Sequence, residues 1–271
     1  LLRRRIASIL ATRIFGLNGF EIYSSTPSSK PRSSSLSSLL AVSMMIGQRI
    51  IPSLLLTGTG IIGAIIIGIP LGVVSACKPN SIWDHISTFV AFIGASVPNF
   101  FLSLLLIYVL AVKMKFSPTS GMYSAGSNGD WKDLLYHLAL PAFVCGIQPI
   151  GNYIKQTKSS VLEVLNEEYI KTARSKGLRN VVIVIKHAFR NSLIPIVTTL
   201  SLSVPFLIGG AVVTEQIFAW PGIGSLMITA ITSRDYPVIM GVAVLICVVV
   251  LVVNLILDLI YAALDPRIKF K

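Results

Sequence analysis

The sequence has 271 residues, of which 54% are hydrophobic and only 13% are charged. Soluble domains carry about 25% charged residues, so this composition nearly excludes a soluble enzyme and indicates an integral membrane protein. The 23 Lys and Arg residues outnumber the 11 Asp and Glu residues. In a membrane protein this excess is expected on cytoplasmic segments, which explains the charge better than nucleic-acid binding does; we expect no nucleic-acid partner.

The N-terminal segment is the least regular part of the chain. Residues 1–23 begin with a cluster of three arginines and continue with a mostly apolar stretch interrupted by Arg13. This pattern fits a degraded first span, an interfacial helix or a targeting remnant. Positions 24–38 hold nine serines and two prolines, which is a linker composition. We therefore divide the chain into a divergent N-terminal segment with a Ser-rich linker, 1–45, and a membrane domain, 46–271.

Five stretches without Asp, Glu, Lys or Arg are long enough to cross the hydrocarbon core as helices, which takes about 20 residues. They are residues 50–77, 86–112, 134–154, 191–214 and 236–257. The first stretch is rich in isoleucine and glycine, and small residues let helices pack closely in lipid. We predict an all-α integral membrane protein with five transmembrane helices, or six if the N-terminal segment also spans.

Polar residues within these stretches are few. Gln148, Asn152 and Asn254 are candidates to line a transport pathway, although hydrogen bonds between packed helices explain them equally well. The lack of a charged residue within the five stretches counts against a proton-coupled secondary transporter, which normally needs one. It also counts against a membrane-embedded hydrolase, because no acid, base and nucleophile set is present there.

The segment 155–190 carries eight basic and three acidic side chains and is too polar to enter lipid. Five of its residues recur at helical spacing, namely Val161, Leu162, Leu165, Tyr169 and Ala173. This pattern predicts one amphipathic helix that ends at Gly177, followed by a second amphipathic stretch over 181–189. Two short helices are typical of a docking element for a partner; the alternative is a solvated loop held near the lipid headgroups by its lysines.

The distribution of Lys and Arg predicts the orientation. Twelve basic residues fall on the side that holds 78–85, 155–190 and the C-terminus, whereas four fall on the other side. The positive-inside rule therefore places 155–190 and the C-terminus in the cytoplasm.

Neither metal nor nucleotide chemistry is evident in the sequence. The three cysteines form no Cys-x-x-Cys pair, and no histidine has a second His or Cys three or four positions away, so we expect no metal site. There is no Gly-Lys dipeptide, and so no phosphate-binding loop ending in Gly-Lys-Ser/Thr. We expect no enzymatic activity and no cofactor in this chain, with ATP hydrolysis on a separate polypeptide.

The stretch EEYIKTARSKG, followed after nine residues by HAFRNSLIP, resembles the cytoplasmic EAA loop of ABC importer permeases in its dipeptide/oligopeptide/nickel variant. Ala173 and Gly177 match the alanine and glycine of that loop, while Lys171 and Arg190 stand where many importers have glutamate and proline. The blocks 51–76, 94–106, 116–121, 139–143, 214–241 and 253–268 also resemble successive blocks of this family in order. Members usually begin with a clean first span and a sizeable extracytoplasmic domain, and 1–45 shows neither clearly.

The resemblance implies an ABC type I importer permease fold in a bacterial or archaeal cytoplasmic membrane, with 155–190 as the loop that carries the coupling helix. It implies that ten residues couple this chain to an ATPase: Glu167, Glu168, Tyr169, Lys171, Thr172, Ala173, Arg174, Ser175, Lys176 and Gly177. The implied partners are a homologous second permease, two cytoplasmic ATPase subunits that bind ATP and Mg, an extracytoplasmic substrate-binding protein and the lipid bilayer.

The implied function is import of dipeptides or oligopeptides by alternating access. An importer of nickel or another small solute from the same family is the alternative. A stand-alone secondary transporter or channel is the alternative from a different class.

Overall fold

The computed structural model describes residues 33–127 and 129–264, and every structural statement below concerns these residues. The chain divides into two units, Leu1–Ser37 and Ser38–Lys271, and the second holds every contact discussed below. The candidate first span at 1–23 and the division at residue 45 remain predictions, since 1–23 lies outside the described residues.

The described residues form helices and no strand. The helices are α1 Ser33–Cys77, α2 Ile82–Ser96, α3 Asn99–Leu106, α4 Trp131–Leu165, α5 Glu168–Ser175, α6 Asn180–Val182, α7 Arg190–Ile217, α8 Ile223–Ser233 and α9 Tyr236–Leu264. A π-helical segment, Ile107–Lys113, extends α3, and a second one, Ile183–Phe189, joins α6 to α7.

Four helical segments are long and apolar enough to cross a membrane, by length and composition. They are Leu40–Cys77, Trp131–Leu165, Asn180–Leu200 and Tyr236–Leu257. A fifth crossing exists if the bent pair Ile82–Ser96 and Asn99–Lys113 is one broken span rather than a re-entrant loop. The prediction of an all-α membrane protein is confirmed. The number of apolar spans is five if the bent pair is counted as one span, and four if it is not.

The predicted continuous span at 86–112 is wrong in its geometry, because the chain bends by 104° between α2 and α3. Val97 has an extended backbone, with φ −89° and ψ 120°. Pro98 explains the break, since proline disfavours the helical conformation at the preceding residue and has no N–H to continue the helical hydrogen bonds. The helix restarts at once with Pro98 as the N-cap of α3.

Helix α4 lies at the centre of the bundle. In its most apolar 18-residue stretch 61% is buried, whereas in the corresponding stretch of α9 only 6% is buried. Helices α1 and α2 both approach the backbone of α4 closely. A Cβ added to Gly72 on α1 would lie 2.6 Å from the Thr157 Cβ, and one added to Gly151 on α4 would lie 2.7 Å from the Ala91 carbonyl on α2. Small residues thus allow this packing, as predicted for α1.

Helix α4 is also longer than its predicted span, which ended at residue 154. Its 35 residues correspond to about 52 Å, whereas a hydrocarbon core is about 30 Å thick. Part of α4 must therefore extend beyond the membrane, and residues 155–165 are the polar part that does so. This extension brings the chain to α5.

Candidate functional site

Helix α5 is a short, separate helix between the end of α4 and the start of α6. The chain leaves α4 at Leu165, and Glu167 adopts an extended backbone before α5 begins. After α5 ends, Gly177 has φ +73°, a left-handed conformation that glycine adopts at little cost. The helix therefore ends just before Gly177, as the sequence predicts.

The prediction of one amphipathic helix through Val161 and Ala173 is wrong. Val161 and Leu165 belong to the last turns of α4, whereas Tyr169 and Ala173 belong to α5. The predicted second helix at 181–189 is also not separate, because helical structure continues from α6 into α7 without interruption. No glycine or proline lies in 181–190 to end it.

One face of α5 packs against the membrane domain. Ile170 is fully buried, Ala173 is 9% exposed, and both contact Ile183, which is 1% exposed, with Leu165 beside them. Burying one such isoleucine contributes about 1.5–3 kcal/mol. The alanine of the predicted docking pattern thus faces its own chain, where only a small side chain leaves room for the helix to approach.

The other face of α5 is exposed. It carries seven of the predicted coupling residues, namely Glu167, Glu168, Lys171, Thr172, Arg174, Ser175 and Lys176, and Gly177 follows them, also exposed. Tyr169 is 44% exposed, and its hydroxyl accepts a hydrogen bond from the Asn191 Nδ2 on α7 at 2.8 Å. The structure thus brings the ten predicted residues together on α5 and the residues that flank it, and nine of the ten are exposed.

A salt bridge on this surface joins the Lys171 Nζ to the Glu168 Oε1 at 2.8 Å. The two side chains are 64% and 89% exposed, so the pair contributes little to stability. Both groups therefore remain available to a partner at small cost.

The predicted pathway residues are placed in two regions. Gln148 on α4 lines an open cavity of about 350 Å³ at the break between α2 and α3, and its Oε1 lies 3.5 Å from the Asn99 Nδ2. Asn152 is exposed one turn further along α4, and Asn254 is exposed on α9. Whether they line a pathway remains a prediction.

Sequence reasoning missed an ion pair at the end of the bundle that carries α5. The Asp84 carboxylate on α2 accepts a hydrogen bond from the Lys158 Nζ on α4 at 2.5 Å. The sequence places Lys158 among the eight basic residues of the segment 155–190. No sequence signal connects the two residues, because they are 74 positions apart.

Sequence reasoning also missed a buried carboxylate that packs against the middle of α1. Glu215, at the end of α7, is 1% exposed and accepts hydrogen bonds from the Ser53 hydroxyl at 2.6 Å and the Ser225 backbone N–H at 2.9 Å. A Cβ added at Gly222 would overlap the carboxylate, so this glycine is needed for the close approach.

Trp220 belongs to the same cluster. It is fully buried, and its indole N–H donates to the Pro52 carbonyl at 2.9 Å. The apolar segment that follows α7 therefore packs onto α1.

Within the described residues, no group of three or more His, Cys, Asp or Glu side chains is arranged to hold a metal ion. Cys145 is buried in a core cluster with Leu56, Leu138 and Trp220, which agrees with a packing role.

Comparisons with known proteins agree with this geometry. The family description "Binding-protein-dependent transport system inner membrane component" matches residues 68–270. The oligopeptide transport system permease protein AppB of Bacillus subtilis is 44% identical over 229 residues, covering 84% of this chain and 72% of that protein. The dipeptide transport system permease protein DppB of Escherichia coli K12 is 39% identical over 226 residues, covering 76% of this chain and 67% of that protein.

Among solved structures, an inward-facing MetNI methionine ABC transporter chain has a TM-score of 0.62, with 17% sequence identity, over 82% of this chain and 97% of that one. This is a likeness of fold. The family match and the apolar helices make the protein a multi-pass membrane protein. On the extent of the family match, the chain belongs to the binding-protein-dependent transport system inner membrane components.

Proposed function

We propose that this chain is a permease subunit of an ATP-driven ABC importer that moves dipeptides or oligopeptides across a cytoplasmic membrane by alternating access. The observation that carries the proposal is helix α5, which is seated on the membrane domain by Ile170 and exposes a charged face. Within this family, such an element suits the binding of an ATPase subunit.

The energy has to come from a partner, because the sequence contains no phosphate-binding loop ending in Gly-Lys-Ser/Thr. Two cytoplasmic ATPase subunits would bind ATP and Mg, and a homologous second permease would complete the membrane pathway. Coupling requires that the ATPases bind the inward-open and outward-open permease with different free energies. A helix seated on α4 and α7 at once is well placed to transmit that difference.

The positive-inside rule supports the orientation in which α5 faces the cytoplasm. The segment around Trp220 then faces the other side, where a substrate-binding protein would deliver the solute. The substrate class rests on the named relatives, which are oligopeptide and dipeptide permeases. Import of nickel or another small solute is the second candidate within the family.

The test is uptake by proteoliposomes that contain the complete complex, purified from its source with its partners. We expect labelled dipeptide or oligopeptide to accumulate only under two conditions. ATP must be present on the side of the membrane that holds the ATPase subunits, and the binding protein must be present on the opposite side. Uptake of labelled Ni²⁺ instead would favour the second candidate. Peptide entry into liposomes that contain this chain alone, without ATP, would contradict the proposal and indicate a channel or secondary carrier.

A further inference from the structure

The ion pair between Asp84 and Lys158 joins three parts of the fold to α4. The two side chains are only 10% and 29% exposed. The Asp84 carboxylate also accepts hydrogen bonds from the Ser75 hydroxyl at 2.5 Å and from the Asn80 backbone N–H at 3.0 Å. One carboxylate thus connects the last turn of α1, the turn after it and the first turn of α2 to a single lysine on α4.

The pair lies at the end of a tightly packed seam. Next to it, Gly72 on α1 touches Thr157 on α4 so closely that no Cβ fits. Ser87 on α2 is fully buried, and its hydroxyl lies within hydrogen-bond distance of the Leu71 carbonyl on α1 at 3.3 Å. The α1–α2 hairpin therefore behaves as one packed unit, and among the described residues the ion pair is a charged contact between this unit and α4.

The same stretch of α4 also supports α5. Lys158 precedes Leu165 by seven residues, about 10 Å along a helix, and Leu165 packs against Ile170 of α5. Between them, Val161 is fully buried against Ala76 of α1 and Ala188 of the π-helical segment that leads into α7. The last turns of α4 thus contact α1, α5 and this π-helical segment in one continuous block.

We infer that Asp84 and Lys158 are positioning residues that make the α1–α2 hairpin follow α4 when α5 is displaced by the ATPase. This inference rests on the proposed function. A packed seam has few alternative arrangements, and removing one member of a largely buried ion pair leaves the other charge uncompensated. Without the pair, the hairpin separates from α4 during the cycle, and ATP hydrolysis no longer drives a full conformational change.

The test is the amount of peptide imported per ATP hydrolysed by the complete complex in proteoliposomes. Asp84→Asn keeps the size of the side chain and removes its charge. We expect hydrolysis to continue while import per ATP falls at least about fivefold, the lower end of the range for coupling between sites. Lys158→Arg keeps the charge and is expected to keep the ratio. If Asp84→Asn does not assemble, Lys158→Gln removes the same pair from its more exposed end.

The matched control is Asp133→Asn at the other end of α4. The Asp133 carboxylate likewise accepts from a backbone N–H and a hydroxyl, both of Ser124, at 2.6 and 2.8 Å. In the described structure its hydrogen bonds and its ion pair are made with Ser124 and His137 and not with the α1–α2 hairpin, and we expect import per ATP to stay unchanged. An equal fall in Asp133→Asn and Asp84→Asn would overturn the inference, since any carboxylate on this scaffold would then have the same effect.

A distance measurement reads the motion directly. Spin labels at the exposed positions Ile82 on α2 and Lys155 on α4 report whether hairpin and helix move together. We expect the same distance with and without nucleotide in the otherwise native complex, and different distances in Asp84→Asn. A constant distance and a native import ratio in Asp84→Asn would overturn the inference and leave the proposed function intact. Failure of the native complex to import peptide with ATP would overturn the proposed function itself.

Discussion

Replacing Ile170 by alanine should release α5 from the membrane domain while leaving its exposed face unchanged. Ile170 is fully buried against Ile183 and Leu165. Truncating a buried isoleucine to alanine costs about 2–5 kcal/mol, including the cavity it leaves. An isolated helix of eight residues is not stable in water, so this loss acts directly on the equilibrium between docked and undocked α5.

Even the lower value, about 2 kcal/mol, should raise the undocked population about 30-fold. Amide hydrogen exchange of residues 168–175 in the membrane-embedded complex measures this population, because exchange in a locally opening segment follows its opening equilibrium. We expect exchange to rise by that factor, together with a loss of ATP-driven import.

The control is Lys171→Ala on the exposed face of the same helix. Its side chain is 64% exposed, so we expect exchange to change by no more than about threefold. Equal exchange in the two variants would refute the reasoning, since it would mean that packing of Ile170 does not hold α5 in place.

Three other substitutions test the surrounding structure. Gly177→Ala places a side chain at φ +73° and should lower the stability of the α5 turn by about 1–2 kcal/mol, measured as faster exchange there; Gly177→Asn should cost less. Trp220→Phe removes the N–H that donates to the Pro52 carbonyl. It should reduce the stability of the protein by roughly 1 kcal/mol, measured as a lower apparent Tm. Gly72→Val meets α4 within 3 Å and should reduce the yield of assembled complex, whereas Gly63→Val, with nothing within 4 Å of its Cβ, should not.

The apolar spans were readable from the sequence because their signal is local. A stretch of about 20 uncharged residues must satisfy its backbone within a helix wherever it crosses lipid. The break of the helix at Pro98 could not be predicted in the same way. Proline is tolerated within membrane helices when neighbouring groups compensate for the lost hydrogen bond, so its position alone does not distinguish a kink from a 104° bend.

The candidate site was predicted by composition and position, but its internal geometry was not. The apolar residues on both sides of Asn166 keep helical spacing, so periodicity alone joined the end of α4 to α5. The family pattern located Ala173, yet burial of this residue becomes visible only once Ile183 packs against the helix.

Long-range polar contacts were the least predictable feature. Ser53 and Glu215 are 162 positions apart, and Asp84 and Lys158 are 74 apart. Each pair forms only when two particular helices pack together, and no sequence pattern predicts which helices are neighbours. The sequence contains one related feature for Glu215. Position 222 is a glycine, and the Glu215 carboxylate occupies the space that a side chain at this position would need.

The central claim is that the exposed face of α5 binds an ATPase subunit and moves with it. The most direct measurement is a disulfide between a cysteine at Thr172 and one in the cleft of the ATPase. Thr172 is exposed, whereas Ala173 is buried against its own chain and serves as the matched negative position. We predict a crosslink from position 172 whose yield changes with nucleotide, and little from position 173. No crosslink from position 172 in any nucleotide state would contradict the claim.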